Sequence, residues 1–311
     1  MRTRRHPTKG FSLIELLVVV VILAALVSMA YSALRSGRTM SKQAICLNNL
    51  KQIAVALNLY YNDHKAYPPE DLRQHLGRYV GENPRLFVCP NDLTGSGDSY
   101  SQFYVARPDD RAQDYVCACP RHVAESKTIT LLSSSSAQLL ERRPVRWNGQ
   151  LVPPGTSVGS GVMSFGDGST VTIPDGMVVR LVQSFRLHDG RYYSVIAVDI
   201  NETGTLDIEV TPGSRFEVVT PSAIAGVQGT RFKVTTYIEN DEYCVKVEVT
   251  EGKVEVKNRW KKEPPQLITP GKKKRIRFHR GKIARLLRRL WKWRRKHLPD
   301  DWLYDPDLFN G

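Results

Sequence analysis

The sequence predicts an α+β chain of several domains. A long N-terminal helix starts apolar and ends amphipathic, a small α/β head and an all-β domain follow, and a basic amphipathic helix lies near the C-terminus. Three observations carry this prediction. An apolar run extends almost unbroken from Phe11 to Ala33, and no proline interrupts the chain from there to Ala66. Between 151 and 280, short apolar-alternating segments recur between turns containing Gly, Asp and Pro. From Ile283 to Trp291, apolar residues return at helical spacing among arginines and lysines.

The first ten residues form a basic leader, with Arg2, Arg4, Arg5 and Lys9 ahead of Gly10. At 1.5 Å per residue a helix over 11–33 reaches about 35 Å, enough to cross a bilayer with slight tilt. The positive leader places the N-terminus in the cytoplasm and exports the remainder. Glu15 sits inside this apolar stretch. A carboxylate in hydrocarbon costs on the order of 2.5–3.5 kcal/mol even on insertion scales, so it calls for a cationic partner. An ordinary secretory signal cut near Ser28-Met29-Ala30 is the competing reading. Glu15 and the length of the run count against it.

Gly10-Phe11-Ser12-Leu13-Ile14-Glu15-Leu16-Leu17 resembles the class III signal of type IV pilins and type II secretion pseudopilins. The resemblance implies cleavage by prepilin peptidase between Gly10 and Phe11 and N-methylation of Phe11. It also implies assembly, in which Glu15 pairs with the Phe11 amine of an adjacent chain. The implied partners are the peptidase, other pilins or pseudopilins, and the inner membrane.

Beyond the membrane segment the helical pattern continues. Leu47, Leu50, Ala54, Leu57 and Tyr61 recur at spacings of three and four, and Pro68-Pro69 stops the helix. One helix over about 11–64 is expected, within a helix-plus-head region spanning 34–125. The run from Asn48 to Tyr61 and then Tyr67-Pro68-Pro69 resembles the helix and first loop of pseudopilins with small heads. A short helix over Glu70–Tyr79 and a few strands would cover it. Residues 126–150 read as a mixed connector, with serines at 133–136 and a break at Arg142-Arg143-Pro144.

The all-β domain spans 151–280. Gly166-Asp167-Gly168-Ser169 reads as a hairpin turn, and strand-like runs follow at 178–181, 192–198, 205–210, 215–219, 230–234, 243–249 and 253–256. Such spacing fits a sandwich, a barrel or a stacked-strand helix. Phe165–Val171 resembles the hairpin of FecR-type domains, and Val219–Val234 their central signature. Val247–Val256 resembles the closing hairpin, and Thr269-Pro270-Gly271 the usual end. FecR domains are extracytoplasmic, and one of them relays a ligand signal to a sigma factor. The ten residues ahead of the membrane helix offer no counterpart to the cytoplasmic part, so the resemblance implies the β module and not sigma-factor signalling. Gly226 and Gly229 in the signature read as backbone requirements, through positive φ or close approach.

The net charge of +14 suggests a polyanion partner until its distribution is considered. The leader holds four of the 45 Lys and Arg, and residues 257–297 hold 18 against a single acid, Glu263. The body between is slightly acidic, so arguments about partners belong to the tail. There, over 281–311, Ile283, Leu286, Leu287, Leu290 and Trp291 form an apolar stripe. Arg285, Arg288, Arg289, Lys292, Arg295 and Lys296 cover the other side. Such a helix suits an anionic lipid surface or a cell-envelope polymer; nucleic acid ranks below these. Docking of the stripe on the β domain is an equal alternative. The acidic, aromatic segment 300–311 could fold back onto the basic face.

Five cysteines are present: Cys46, Cys89, Cys117, Cys119 and Cys244. A disulfide from Cys89 to Cys117 or Cys119 suits an exported small head. A metal held by Cys89, Cys117, Cys119 and His122 is a second possibility, and free thiols a third. Cys46 and Cys244 read as core residues. No phosphate-binding G-x-x-x-x-G-K-[ST], no H-E-x-x-H and no G-x-S-x-G occurs, so neither catalysis nor a cofactor is expected. Two functions follow: a minor or tip pseudopilin-like subunit, or a membrane-tethered extracytoplasmic module that senses or binds a ligand or envelope polymer.

Overall fold

The structure, a computed structural model, describes residues 13–68, 71–92, 95, 97–106, 114–119, 121–122, 127–132, 136–199, 201–240, 242–259 and 263–279. The processing site Gly10–Phe11 and the basic helix with Arg285, Arg288, Arg289, Lys292, Arg295 and Lys296 lie outside these residues. The chain divides into two compact units, 1–45 and 46–311.

One helix, α1, runs through Leu13–His64 over 52 residues, as the absence of proline predicts. In the first unit every described side chain from Leu13 to Arg38 is exposed, including Leu16, Leu17, Ile22, Leu23 and Leu26. The stretch is long and apolar enough to cross a bilayer.

In the second unit the same helix changes character. Cys46, Leu50, Ile53, Ala54 and Leu57 are buried, and Val55 and Leu59 on other faces are exposed. The helix ends where Lys65 turns to φ 55°, its amide donating to the Tyr61 carbonyl at 2.7 Å. A left-handed residue followed by proline is a usual helix stop. The head then forms α2 (Leu72–Leu76), capped by the Asp71 carboxylate accepting from Gln74 N at 3.2 Å. Three short 3-10 turns follow at Gly77–Val80, Pro84–Phe87 and Ser101–Phe103.

Eighteen strands complete the described chain. The head contributes β1 (Tyr115–Cys119), β2 (Lys127–Leu132) and β3 (Ser136–Arg142). Next come β4 (Val145–Trp147), β5 (Gln150–Val152), β6 (Ser157–Val158), β7 (Gly161–Phe165), β8 (Thr170–Ile173) and β9 (Val179–Arg186). Then follow β10 (Tyr192–Val198), β11 (Gly204–Glu209), β12 (Arg215–Val219), β13 (Ala223–Gln228) and β14 (Arg231–Glu239). The last are β15 (Glu242–Glu251), β16 (Val254–Asn258), β17 (Gln266–Ile268) and β18 (Lys273–His279).

They build two sheets. The first has the order β1-β2-β3-β9-β10-β12-β13-β16-β17, with β6 beside β9; the second runs β18-β15-β14-β11-β8-β7-β4-β5. The inner faces pack as a sandwich around Met163, Phe165, Val171, Leu206, Phe216, Val218, Phe232 and Val247. Phe165 and Phe216 meet edge to face across this core at 5.0 Å. Among the described residues β10 and β12 are the one parallel pair, with β11 crossing to the other sheet between them.

The segment 126–150, expected as a connector, instead carries β2, β3 and β4. The first sheet therefore runs from the head into the β domain. β3 joins β9 through Glu141 opposite Arg186 and Arg142 opposite Phe185. A shared core of Val105, Tyr115, Leu140, Phe185 and Tyr193 lies under that seam. Tyr115 N donates to Tyr193 Oη at 2.9 Å, so a buried backbone amide of the head is satisfied by a side chain of the β domain.

Part of the basic run is also a strand. β18 pairs with β15, and its cations meet acids on β15 and on β14 beyond it: Lys273 with Glu248, and Arg275 with Glu239 at 3.2 Å. Charged edge strands of this kind resist pairing with other chains.

Candidate functional site

The four buried residues Cys46, Cys89, Cys119 and His122 converge, their ligand atoms all lying within 4.8 Å of one another. Each comes from a differently constrained segment. Cys46 lies one turn before Leu50 on the buried stripe of α1. Cys89 follows the turn Pro84–Phe87 and is fixed by its backbone, since Cys89 N donates to Ser99 Oγ at 2.9 Å and Ser99 N donates to Phe87 O at 2.8 Å. Cys119 ends β1, and His122 lies three residues beyond, 2% exposed.

Polar groups surround the sulfurs. Asn91 N donates to Cys89 Sγ at 3.4 Å, and His122 Nε2 lies 3.6 Å from the same sulfur. The other ring nitrogen, Nδ1, is 3.2 Å from the Asn91 side-chain amide. Tyr100 Oη is 3.3 Å from Cys46 Sγ. Arg121, between Cys119 and His122, pairs with Asp92 at 3.0 Å.

These contacts separate the thiols. Hydrogen bonds from Cys119 and Cys46, with His122 and Asn91 N, hold Cys89 far below the usual thiol range. Cys119 is pushed well up by its hydrogen bonds with Cys46 and Cys89 and by burial. The same set of hydrogen bonds thus favours charge on Cys89 and disfavours it on Cys119.

Two expectations need correction. The disulfide from Cys89 to Cys117 or Cys119 is not formed, and all five cysteines are free and buried. Cys117 also does not belong to the cluster. Its thiol donates instead to the Tyr100 carbonyl at 3.4 Å, and Cys46 occupies the fourth corner. The helical stripe was the available signal, because Cys46, Leu50, Ile53 and Leu57 share one face. Cys244 lies on β15 in the second sheet and is not part of the cluster.

In the first unit, Glu15 lies in the first turn of α1 within the exposed apolar stretch. In the β domain, the turn at Gly166–Ser169 forms as expected. Gly168 has φ 91°, Ser169 N donates to Asp167 Oδ1 at 3.0 Å, and Ser169 Oγ accepts from Thr211 N at 3.0 Å. Gly229 has φ 57°, and a Cβ there would meet Pro212 Cα at 2.6 Å. Gly226 has ordinary backbone and room for a Cβ, its nearest neighbour being Glu217 Cγ at 3.8 Å. Only Gly229 carries the backbone requirement.

Residues 5–31 match the prokaryotic N-terminal methylation motif, and residues 163–255 match the FecR protein family. The chain is 38% identical over 65 residues to type II secretion system core protein G of Pseudomonas aeruginosa. That similarity covers 21% of this chain and 46% of the relative, so the chain spans less than half the relative's length. Two crystal structures of a protein from Parabacteroides distasonis assigned as an anti-sigma factor are 21% identical. They cover 42% of this chain and 64% of theirs, with a TM-score of 0.31. The chain joins an N-terminal methylation motif and core-protein-G-like sequence to a FecR domain.

Proposed function

We propose that this chain is a pseudopilin-like subunit, of a minor or tip kind, in a type II secretion or type IV pilus-like system. It is held by a single pass in the inner membrane and displays the head and FecR domain outside. The observation that supports this most is the division of labour along α1. Its first part is fully exposed and apolar and overlaps the methylation motif, while from Cys46 onward one face of the same helix is buried in a head. A helix of that kind anchors by its first part and is built into a folded body by its second.

Function then comes from packing. Prepilin peptidase cuts between Gly10 and Phe11, the Phe11 amine is methylated, and the helices bundle with those of other pseudopilins. Glu15 neutralises the Phe11 amine of the neighbouring copy, offsetting the cost of a carboxylate in lipid, about 2.5–3.5 kcal/mol. The minor or tip assignment rests on bulk. The head and β domain fall in one unit, 46–311, a large body for a repeating filament subunit.

The FecR match favours a second reading, a tethered sensory or polymer-binding module that does not assemble. Crosslinking separates the two. With cysteine introduced near position 15, neighbouring copies or partner pseudopilins should trap in vivo, and Glu15→Ala should insert normally yet lose the crosslink. Mass spectrometry should find the mature chain beginning at methylated Phe11. Normal crosslinking of the Glu15→Ala protein, or a chain retaining Met1, would refute the assembly reading.

A further inference from the structure

We propose that Cys46, Cys89, Cys119 and His122 form a structural zinc site in the head. The first argument is geometric. Zn–S bonds of about 2.3 Å and Zn–N bonds of about 2.0–2.1 Å in a tetrahedron separate the ligand atoms by roughly 3.5–3.8 Å. The ligand atoms here lie within 4.8 Å of one another, and the Cys89 Sγ to His122 Nε2 separation is 3.6 Å. The four atoms need to close in only slightly around an ion.

The second argument is chemical. Three soft sulfurs and an imidazole, closed off from solvent, make a donor set that selects zinc over magnesium or calcium. A disulfide would use two of the sulfurs and leave the third, with the imidazole, enclosed without purpose. Zinc uses all four, and ligating thiols give up their protons as the ion binds.

The third argument lies in the surrounding groups. The Asn91 backbone amide points at the Cys89 sulfur, as a donor to a ligating thiolate should. The Asn91 side chain lies against His122 Nδ1. Turned about its amide, it presents Oδ1 to an Nδ1–H and leaves the Nε2 lone pair for the metal. Metal-bound histidines almost always have such a partner.

The ion would tie α1 to the loop after Pro84–Phe87 and to the end of β1, segments 43 and 30 residues apart in sequence. A disulfide from Cys89 to Cys117 or Cys119 would staple the head without reaching α1. The site stands apart from the assembly reading, since it requires only that the head fold.

The test uses the full chain purified in detergent without chelator. Elemental analysis should find about one zinc per chain. X-ray absorption should show three sulfurs and one nitrogen around it, and cobalt exchanged into the site should give thiolate-to-cobalt charge-transfer bands. Cys46→Ser and Cys119→Ser should lose the ion, and Cys117→Ser and Cys244→Ser should keep it. Asn91→Ala should weaken zinc by about 10–100-fold. The proposal is overturned if the folded wild-type chain takes up no zinc when the metal is supplied with its thiols reduced. It is also overturned if the native chain carries a disulfide among Cys46, Cys89 and Cys119. Retention by Cys46→Ser together with loss by Cys117→Ser would overturn it too. Because the wild-type absorption spectrum reports the ligand set directly, a variant that fails to fold does not shelter the idea.

Discussion

Replacing Asp114 by alanine should strongly destabilise the folded body. Asp114 stands just ahead of β1, its side chain 3% exposed. It accepts from Arg215 on β12 and from Lys257 Nζ on β16 at 2.9 Å. The cations are themselves mostly covered, their side chains 22% and 10% exposed. Arg215 also lies over the Tyr193 ring at 4.7 Å and within 3.5 Å of Glu217. Removing the carboxylate leaves two largely buried cations facing each other, with Glu217 to offset one of them. Breaking a buried pair in this way costs about 3–5 kcal/mol. The partial exposure of Arg215 favours the lower end, about 3 kcal/mol. At about 2–4 °C per kcal/mol for a body of this size, the melting temperature should fall by roughly 6–12 °C. Thermal unfolding followed by near-ultraviolet circular dichroism reads this directly. Adding Lys257→Met should recover part of the loss, because an apolar residue needs no counter-charge. A fall below about 2 °C, or no recovery in the double variant, would refute the reasoning.

Other outcomes follow from the same structure. Gly229→Ala should cost more than about 2 kcal/mol in urea unfolding, because it adds left-handed strain to the clash with Pro212. Gly226→Ala should cost under about 1 kcal/mol; equal losses at both positions would refute the distinction. His75 is held below the ordinary imidazole value by burial and by nearby His64. Its folded form therefore binds a proton less readily than its unfolded form, and its contribution to stability is present above about pH 6.5 and declines as pH falls below that. Denaturant unfolding between pH 7 and 5 should show a shallower decline for His75→Gln than for wild type; parallel declines would count against the assignment.

Much of this architecture was legible in the sequence, and the exceptions have physical causes. The strand β11 and the start of β14 fall where alternation and turns placed them, because buried and solvent-facing residues alternate along both. The head strands did not declare themselves. Tyr115–Cys119 is buried at every position, so the period-2 signal is lost when both faces are covered. β18 was hidden by composition. Four of its seven residues are Lys or Arg, and the acids that accommodate them, Glu239 and Glu248, lie on other strands. The cysteine cluster was half legible. Cys119 and His122 lie in a local C-x-C-x2-H pattern to which Cys89 could be added as a distant ligand, but Cys46 is a further 43 residues upstream of Cys89 on a helix. No spacing rule joins it to the others; only the folding of α1 against β1 does.

The seam between β3 and β9 has a consequence for how such a chain could be cut or recombined. The FecR portion is not a bead on a string. Excising it would strip the far wall from Tyr115 and Leu140, leave the Tyr115 amide without an acceptor, and strand Asp114 without its cations. A shortened chain would end in a raw sheet edge and a greasy face, and its failure to accumulate would say nothing about what the missing portion binds. Mutations meant to silence the β module are better placed on its solvent-facing loops, where the head does not depend on them.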